Sequence, residues 1–169
     1  MRRLSYENMY KWVGSVRHLG RALDLVDKAG VIFTVVSYAF LLVFSYLGGG
    51  WQTSLTYLAV SAVPFIILSI VRKAINAPRP AELFDLTSLG VSVGGKRGES
   101  MPSRHVFSAF LVGTLLTNEA LVLGSLVLFV GVCIGACRVL RAKHFVRDCV
   151  AGALCGAICG IIGLLILIY

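Results

Sequence analysis

Residues 31–71 read VIFTVVSYAF LLVFSYLGGG WQTSLTYLAV SAVPFIILSI V, 41 residues without one charged side chain. A helix crosses the hydrocarbon core of a bilayer in about 20 residues, so this stretch is too long for one span and suits two. Gly48-Gly49-Gly50-Trp51-Gln52-Thr53 supplies the turn, and Trp51 has an amphipathic ring of the kind favoured at membrane interfaces. The stretch therefore divides into spans near 31–47 and 54–71. Further along, apolar runs give spans near 103–118, 120–137 and 149–169. The 103–118 run is the shortest and fits only as a helix packed inside a bundle.

The whole chain agrees with this reading. Of its 169 residues, 57% are hydrophobic and 14% charged, with mean hydropathy +0.86, against about 45–50% and about 25% in soluble domains. A soluble domain and a disordered chain are both excluded, and one membrane domain over 1–169 remains. The fold class is all-α: a polytopic transmembrane helix bundle of about five spans. Residues 2–28 stand apart, with Met9, Trp12, Val16, Leu19, Leu23 and Val26 at helical spacing and Arg17, Arg21, Asp24 and Lys28 between them. This predicts an amphipathic helix lying in the membrane interface, the alternative being a helix packed on a partner. It is not a signal peptide, because the apolar stretch that follows is too long and lacks a cleavage pattern. Gly152, Gly156, Gly160 and Gly163 form a ladder of small residues in the last span, for close packing within the bundle or, alternatively, for a homodimer seam. The five cysteines contain no C-x-x-C pair, and Cys133, Cys137, Cys155 and Cys159 read as small packing residues.

Five spans place 1–28, 72–104 and 138–147 on one side, and those segments hold all 16 Lys and Arg residues. Glu119 is the only charge on the other side. Setting aside Arg72, Lys73, Arg79, Arg104 and Arg138 as site candidates still leaves 11 basic residues against none. The positive-inside rule then puts the charged side in the cytoplasm of a bacterial-type inner membrane. A net charge of +8 on so apolar a chain points to membrane lipids or a phosphorylated substrate, not to nucleic acid.

The polar residues on that side gather at span ends in three clusters. They are Arg72-Lys73 through Arg79-Pro80, Met101-Pro102-Ser103-Arg104-His105, and Arg138 with His144 and Asp148. Arginine and lysine offer many donors to an anion rich in oxygens. Ser103 opens a helix, where free N–H groups favour the same anion. His105 and His144 hold or release a proton near neutrality, and Asp148, four residues after His144, can fix its tautomer. Together these make a phosphoryl-transfer site. A metal centre built from His105, His144 and Asp148 is disfavoured by the surrounding cations, which would repel a divalent ion.

In order and spacing these clusters resemble the type-2 phosphatidic-acid phosphatase superfamily, integral membrane lipid phosphatases related to vanadium haloperoxidases. That family carries Lys-x6-Arg-Pro, Pro-Ser-Gly-His and Ser-Arg-x5-His-x3-Asp. Here the third motif is Arg138, His144 and Asp148 with Cys137 in the Ser place, and the second is Pro102, Ser103 and His105 with Arg104 in the Gly place. The first keeps Arg79-Pro80 but has Arg72 seven residues earlier, with Lys73 one place off. A backbone at positive φ would strain Arg104 where glycine is free of strain.

The resemblance implies a metal-independent and cofactor-free phosphatase for a lipid phosphomonoester or diphosphate, working through a phospho-histidine. His144 would be the nucleophile, Asp148 its orienting partner and His105 the general acid. Arg72 or Lys73, Arg79, Ser103, Arg104 and Arg138 would hold phosphate. It also implies six spans in many bacterial members, against five counted here. A cytoplasmic site favours phosphatidate, phosphatidylglycerophosphate or a polyprenyl phosphate; undecaprenyl diphosphate would need the opposite face. The alternative is a non-catalytic lipid-binding protein with the same fold. A small transporter is disfavoured, because no charge lies within a span core. Phe84, Leu86, Leu89, Val91 and Val93 beside Gly94-Gly95 suggest a lid, or else an ordinary loop.

Overall fold

The computed structural model describes residues 3–84, 86 and 97–168, and every regular element among them is a helix. They are α1 (Arg3–Ser15), α2 (Leu19–Ile75), α3 (Pro80–Leu83), α4 (Arg104–Glu119), α5 (Leu121–Leu140) and α6 (Val146–Ile168). The chain is a transmembrane helix bundle. Apolar residues such as Leu47, Phe129, Ile158 and Ile162 face outward along its length.

The two spans expected over 31–71 are the arms of α2. They meet at Gly50, whose φ of 75° and ψ of −173° belong to glycine alone, and the helix continues on either side. Nothing lies within 4 Å of where a Cβ would stand there, so conformation and not space requires the glycine. The reversal thus takes one residue, not a six-residue loop. Ser54 Oγ donates to Leu42 O at 3.0 Å, and the hydroxyls of Tyr38 and Ser61 share a hydrogen bond of 2.5 Å. These contacts hold the arms side by side.

The short 103–118 run is α4, and it is the centre of the bundle, packed on α2, α5 and α6. At 16 residues it is about 24 Å long, less than the bilayer core. It succeeds because Phe107, Leu111, Leu115 and Leu116 are buried among the other helices. The glycine ladder belongs to this packing. A Cβ on Gly152 would lie 2.6 Å from Ser103 O, one on Gly156 would collide with Phe107 O, and one on Gly160 would lie 2.6 Å from Thr114 Cβ. The backbone of α6 rests directly on α4.

One expectation is corrected. Residues 2–28 do not form a single helix: α1 ends at Ser15, His18 is left-handed (φ 72°), and Leu19 already belongs to the first membrane arm. The apolar stripe through Trp12 and Val16 faces outward, while Tyr6, Tyr10 and Val13 are the buried side of α1. Tyr6 meets Phe145 edge-on at 5.3 Å between centroids, and Tyr10 meets Phe84 at 5.7 Å. Apolar periodicity misled here because lipid rewards apolar residues that point outward, so the most apolar face need not be the packed one.

Replacing Gly156 by leucine would force backbone apart from backbone, and overpacking of this kind typically costs about 1–3 kcal/mol. Gly156→Leu should lower the thermal unfolding midpoint in detergent by several degrees. Gly48→Leu, at a helical site with nothing within 4 Å, should leave it near wild type.

Candidate active site

The third cluster is shaped by the turn after α5. The N–H groups of Lys143 and His144 both donate to Arg138 O, at 2.9 and 3.3 Å, and Ala142 takes a left-handed conformation (φ 53°). This reversal sends His144 back into the bundle. Asp148 lies in the first turn of α6, where its Oδ2 accepts the Phe145 N–H at 3.0 Å. His144 precedes the helix, so the pair does not share a helix face as its spacing suggested. His144 Nδ1 stands 3.9 Å from Asp148 Oδ2, too far for a direct hydrogen bond. Ser100 fills the gap: its hydroxyl donates to Asp148 Oδ2 at 2.5 Å and lies 3.3 Å from His144 Nδ1. All three side chains are buried.

The second cluster is tied to this one through the backbone, because Ser103 N–H donates to Asp148 O at 2.9 Å. Ser103 caps the start of α4 and is fully buried, and its Oγ has no hydrogen-bond partner among the described residues. A buried hydroxyl in that state is destabilising unless a ligand supplies a partner. Arg104 is the first residue of α4 and is not among the positive-φ positions, so arginine stands in the glycine place without backbone strain. His105 follows, half-buried, and with Arg104 it lines a cavity of about 320 Å³. The other walls are Val31, Thr34 and Val35 from one arm of α2, Phe65 from the other arm, Ser108 from α4 and Ile134 from α5.

The first cluster supplies the cations. Arg72 is buried in the last turn of α2 and donates to Pro102 O at 3.0 Å, while its neighbour Lys73 is exposed. Arg79 donates through Nε to Gly98 O at 2.9 Å and through a terminal nitrogen to Lys143 O at 3.3 Å, bridging two loops over His144. Glu82 accepts the N–H groups of both Arg79 and Gly98. Arg138 is half-buried and is held by the carboxylate of Asp27. Glu99 lies 3.9 Å from Arg72 Nε. Of the sequence-derived candidates, Arg72, Arg79, Ser103, Arg104, His105, Arg138, His144 and Asp148 thus occupy the ends of α2, α4, α5 and α6 and the connections beside them, on one side of the bundle. Cys137 is buried beside Arg138.

Burial is the main influence holding the His144 imidazole below the ordinary histidine range. The negative Asp148 carboxylate beyond Ser100 opposes it, and the positive charges of Arg79, Arg72 and Arg138 reinforce it. The ring is therefore neutral near pH 7, with a lone pair available for bond formation. Arg79 is itself held below the usual guanidinium value, chiefly by burial. It remains charged at any pH the protein meets.

Sequence reasoning missed Ser100, Asp24 and Asp27. Ser100 sits three residues before Ser103, but nothing in its spacing marks it. Asp24 reads as part of the polar face of an interfacial helix, and nothing in its spacing marks Asp27. Of the residues expected to form a lid, Phe84 packs on Tyr6, Tyr10 and Phe145, and Leu86 is buried. Leu89, Val91, Val93, Gly94 and Gly95 lie outside the described residues.

A family model described as the PAP2 superfamily matches residues 53–169. LpxE from Aquifex aeolicus has a similar fold, with a TM-score of 0.65 and 24% identity, covering 94% of this chain and 93% of that one. The transmembrane PAP2-type phosphatidylglycerolphosphate phosphatase from Bacillus subtilis has a TM-score of 0.59 and 16% identity, covering 96% and 92%. No curated protein sequence matches the chain.

With its pKa lowered, His144 gains its proton only below the ordinary value of about 6.5. Histidine NMR of the purified protein, assigned with His144→Gln, should show this ring more than half neutral at pH 6.5. A titration midpoint at or above 6.5 would contradict the electrostatic account.

Proposed function

Since the chain belongs to the PAP2 superfamily, we propose that it is an integral membrane lipid phosphate phosphatase that works without a metal, through a phospho-histidine on His144. The observation that carries this reading is the buried His144–Ser100–Asp148 cluster set among four arginines, next to a cavity that runs from His105 between apolar side chains of two spans. The head group would sit among Arg72, Arg79, Arg104 and Arg138, and an acyl or prenyl chain would leave along Val31, Val35 and Phe65. A protein that only bound lipid would have no use for a neutral imidazole held in one orientation.

The reaction takes two steps. The free ring nitrogen of His144 attacks phosphorus in line, and the bond to the lipid oxygen breaks. His105, protonated once the phosphoryl dianion lies beside it, gives that oxygen its proton, general-acid help typically worth about 10²–10⁴-fold. Asp148, through Ser100, keeps the attacking nitrogen's tautomer and stabilises the cationic ring that forms. His105, now a base, takes a proton from water, the hydroxide attacks phosphorus, the phosphorus–nitrogen bond breaks and inorganic phosphate departs. Throughout, the arginines, the Ser103 hydroxyl and the start of α4 stabilise charge on the equatorial oxygens. Four guanidiniums do electrostatically what a metal does elsewhere, and they would repel a divalent ion brought to His105 and His144.

The substrate class follows from sidedness. All Lys and Arg residues lie in 1–28, 72–104 and 138–147, the segments read as sharing the site's side, and the positive-inside rule would then face the site to the cytoplasm. Phosphatidate, phosphatidylglycerophosphate and polyprenyl phosphates presented on the inner leaflet are the candidate substrates. That the Bacillus subtilis structure is of a phosphatidylglycerolphosphate phosphatase supports testing that lipid first.

Detergent-purified protein should release phosphate from at least one of these lipids, with EDTA present and with inhibition by vanadate, which takes the five-coordinate geometry of the transition state. His144→Ala should reduce the rate to background. His105→Ala should cost about 10²–10⁴-fold, less for substrates with good leaving groups. A near wild-type rate in His144→Ala refutes the nucleophile assignment, and activity lost to EDTA and restored by a divalent ion refutes the metal-free mechanism.

Orientation is read separately. Single cysteines at Ser5 and Gln52, both exposed, in a cysteine-free background, should label with an impermeant thiol reagent on intact cells only at Gln52. Labelling only at Ser5 would reverse the topology and make an exported diphosphate the substrate.

A further inference from the structure

The residues most firmly attached to the third cluster come from a part of the chain outside the family match. Asp27 lies on the first arm of α2, before residue 53 where that match begins. Its carboxylate accepts Arg138 Nε at 2.9 Å and a terminal nitrogen at 3.2 Å, a two-pronged contact in which both side chains are nearly buried. Lys143 Nζ reaches the same carboxylate at 3.2 Å and that of Asp24 at 3.0 Å, and Asp24 takes Arg141 in a second two-pronged pair at 3.2 and 2.8 Å.

Arginine grips a carboxylate along one edge of its planar fork, which fixes the plane and directs the opposite edge away from the carboxylate. Arg138 is fixed at both ends, since its carbonyl also accepts the His144 and Lys143 amides. Its charge is felt at both His144 and Arg79. One and two turns along the same face of α2, Val31 and Thr34 line the cavity beside His105.

We propose that Asp27 is a positioning residue: it orients Arg138 so that the far edge of the guanidinium meets the phosphoryl oxygens. This rests on the phosphatase reading for the identity of the anion, and it adds the first membrane arm to the working parts of the site. The proposal makes a prediction opposite in sign to simple charge counting. Removing a carboxylate near an anion site raises the local positive potential and should tighten anion binding. Losing the residue that aims a ligand-binding group should weaken it, since misplacement of about 1 Å can cost about 10²-fold.

The test uses the full-length protein in detergent and orthovanadate as the probe, with binding read from the vanadate-dependent rise in unfolding temperature, so that no turnover is needed. Asp27→Asn should weaken binding by about tenfold or more. Asp27→Glu, which keeps the charge but shifts the carboxylate, should show a smaller loss and secures the test if Asp27→Asn does not fold. Asp24→Asn removes equal charge from the same network without touching Arg138, and should bind as the wild type does. Unchanged or tighter binding in Asp27→Asn overturns the proposal, as does an equal loss in Asp24→Asn, which would mean that the network only supports the fold. A wild type that fails to bind vanadate overturns it too. If the wild type binds vanadate and the variants rank as expected, but no lipid phosphate is hydrolysed, the positioning role stands and the lipid phosphatase reading falls.

Discussion

At the start of α6 the carbonyl of Asp148 accepts the Ser103 amide, 2.9 Å away, and along the next three turns Gly152, Gly156 and Gly160 bring the α6 backbone against α4. This backbone-to-backbone contact sets the distance between the second and third clusters. Lipid offers no hydrophobic drive for helices to associate, so close approach of small residues is what holds them. With side chains at those three positions the helices would separate. Asp148 would then lose its place beside Ser100, and His144 with it. The glycines in mid-membrane and the chemistry at the membrane surface are thus parts of one arrangement.

The site concentrates positive charge in a buried place, and the fold compensates in stages. Arg72 and Arg79 donate to carbonyls, those of Pro102, Gly98 and Lys143, which hold them in place, and Glu99 lies 3.9 Å from Arg72 Nε. Arg138 and Arg141 have carboxylate partners on α2. Breaking a buried ion pair by removing one member is costly, because the other is left unpaired. Near His144 the charges of Arg79 and Arg72 add to the burial that keeps the imidazole neutral. In the proposed reaction these arginines and the buried Ser103 hydroxyl would meet the phosphoryl oxygens.

The same economy explains the inverted pattern of α2. Its buried positions include Asp27, Thr34, Ser37, Ser45 and Ser61, while Ile32, Val35, Phe40 and Leu47 point out. In water that distribution would unfold the helix pair. In a bilayer it puts polar groups where other helices can satisfy them, as in the Tyr38–Ser61 pair and the Tyr57–Glu119 contact at the far end of α4.

The sequence by itself marked the long apolar runs, the glycine reversal near residue 50, the gathering of basic residues in the segments outside those runs, and the identity of the residues in the three clusters. Those features are one-dimensional: run length, charge count and motif spacing do not depend on which helix neighbours which. It did not determine where α1 ends, which face of residues 19–28 turns inward, that Arg72 and not Lys73 is buried, or that Ser100 stands between His144 and Asp148. Each of these depends on a partner far away in sequence: Phe145 for Tyr6, Arg138 for Asp27, Pro102 for Arg72, Asp148 for Ser100. An aspartate at the head of an apolar run looks the same whether it meets water or a buried arginine. Only the packing of α2 against α5 decides which.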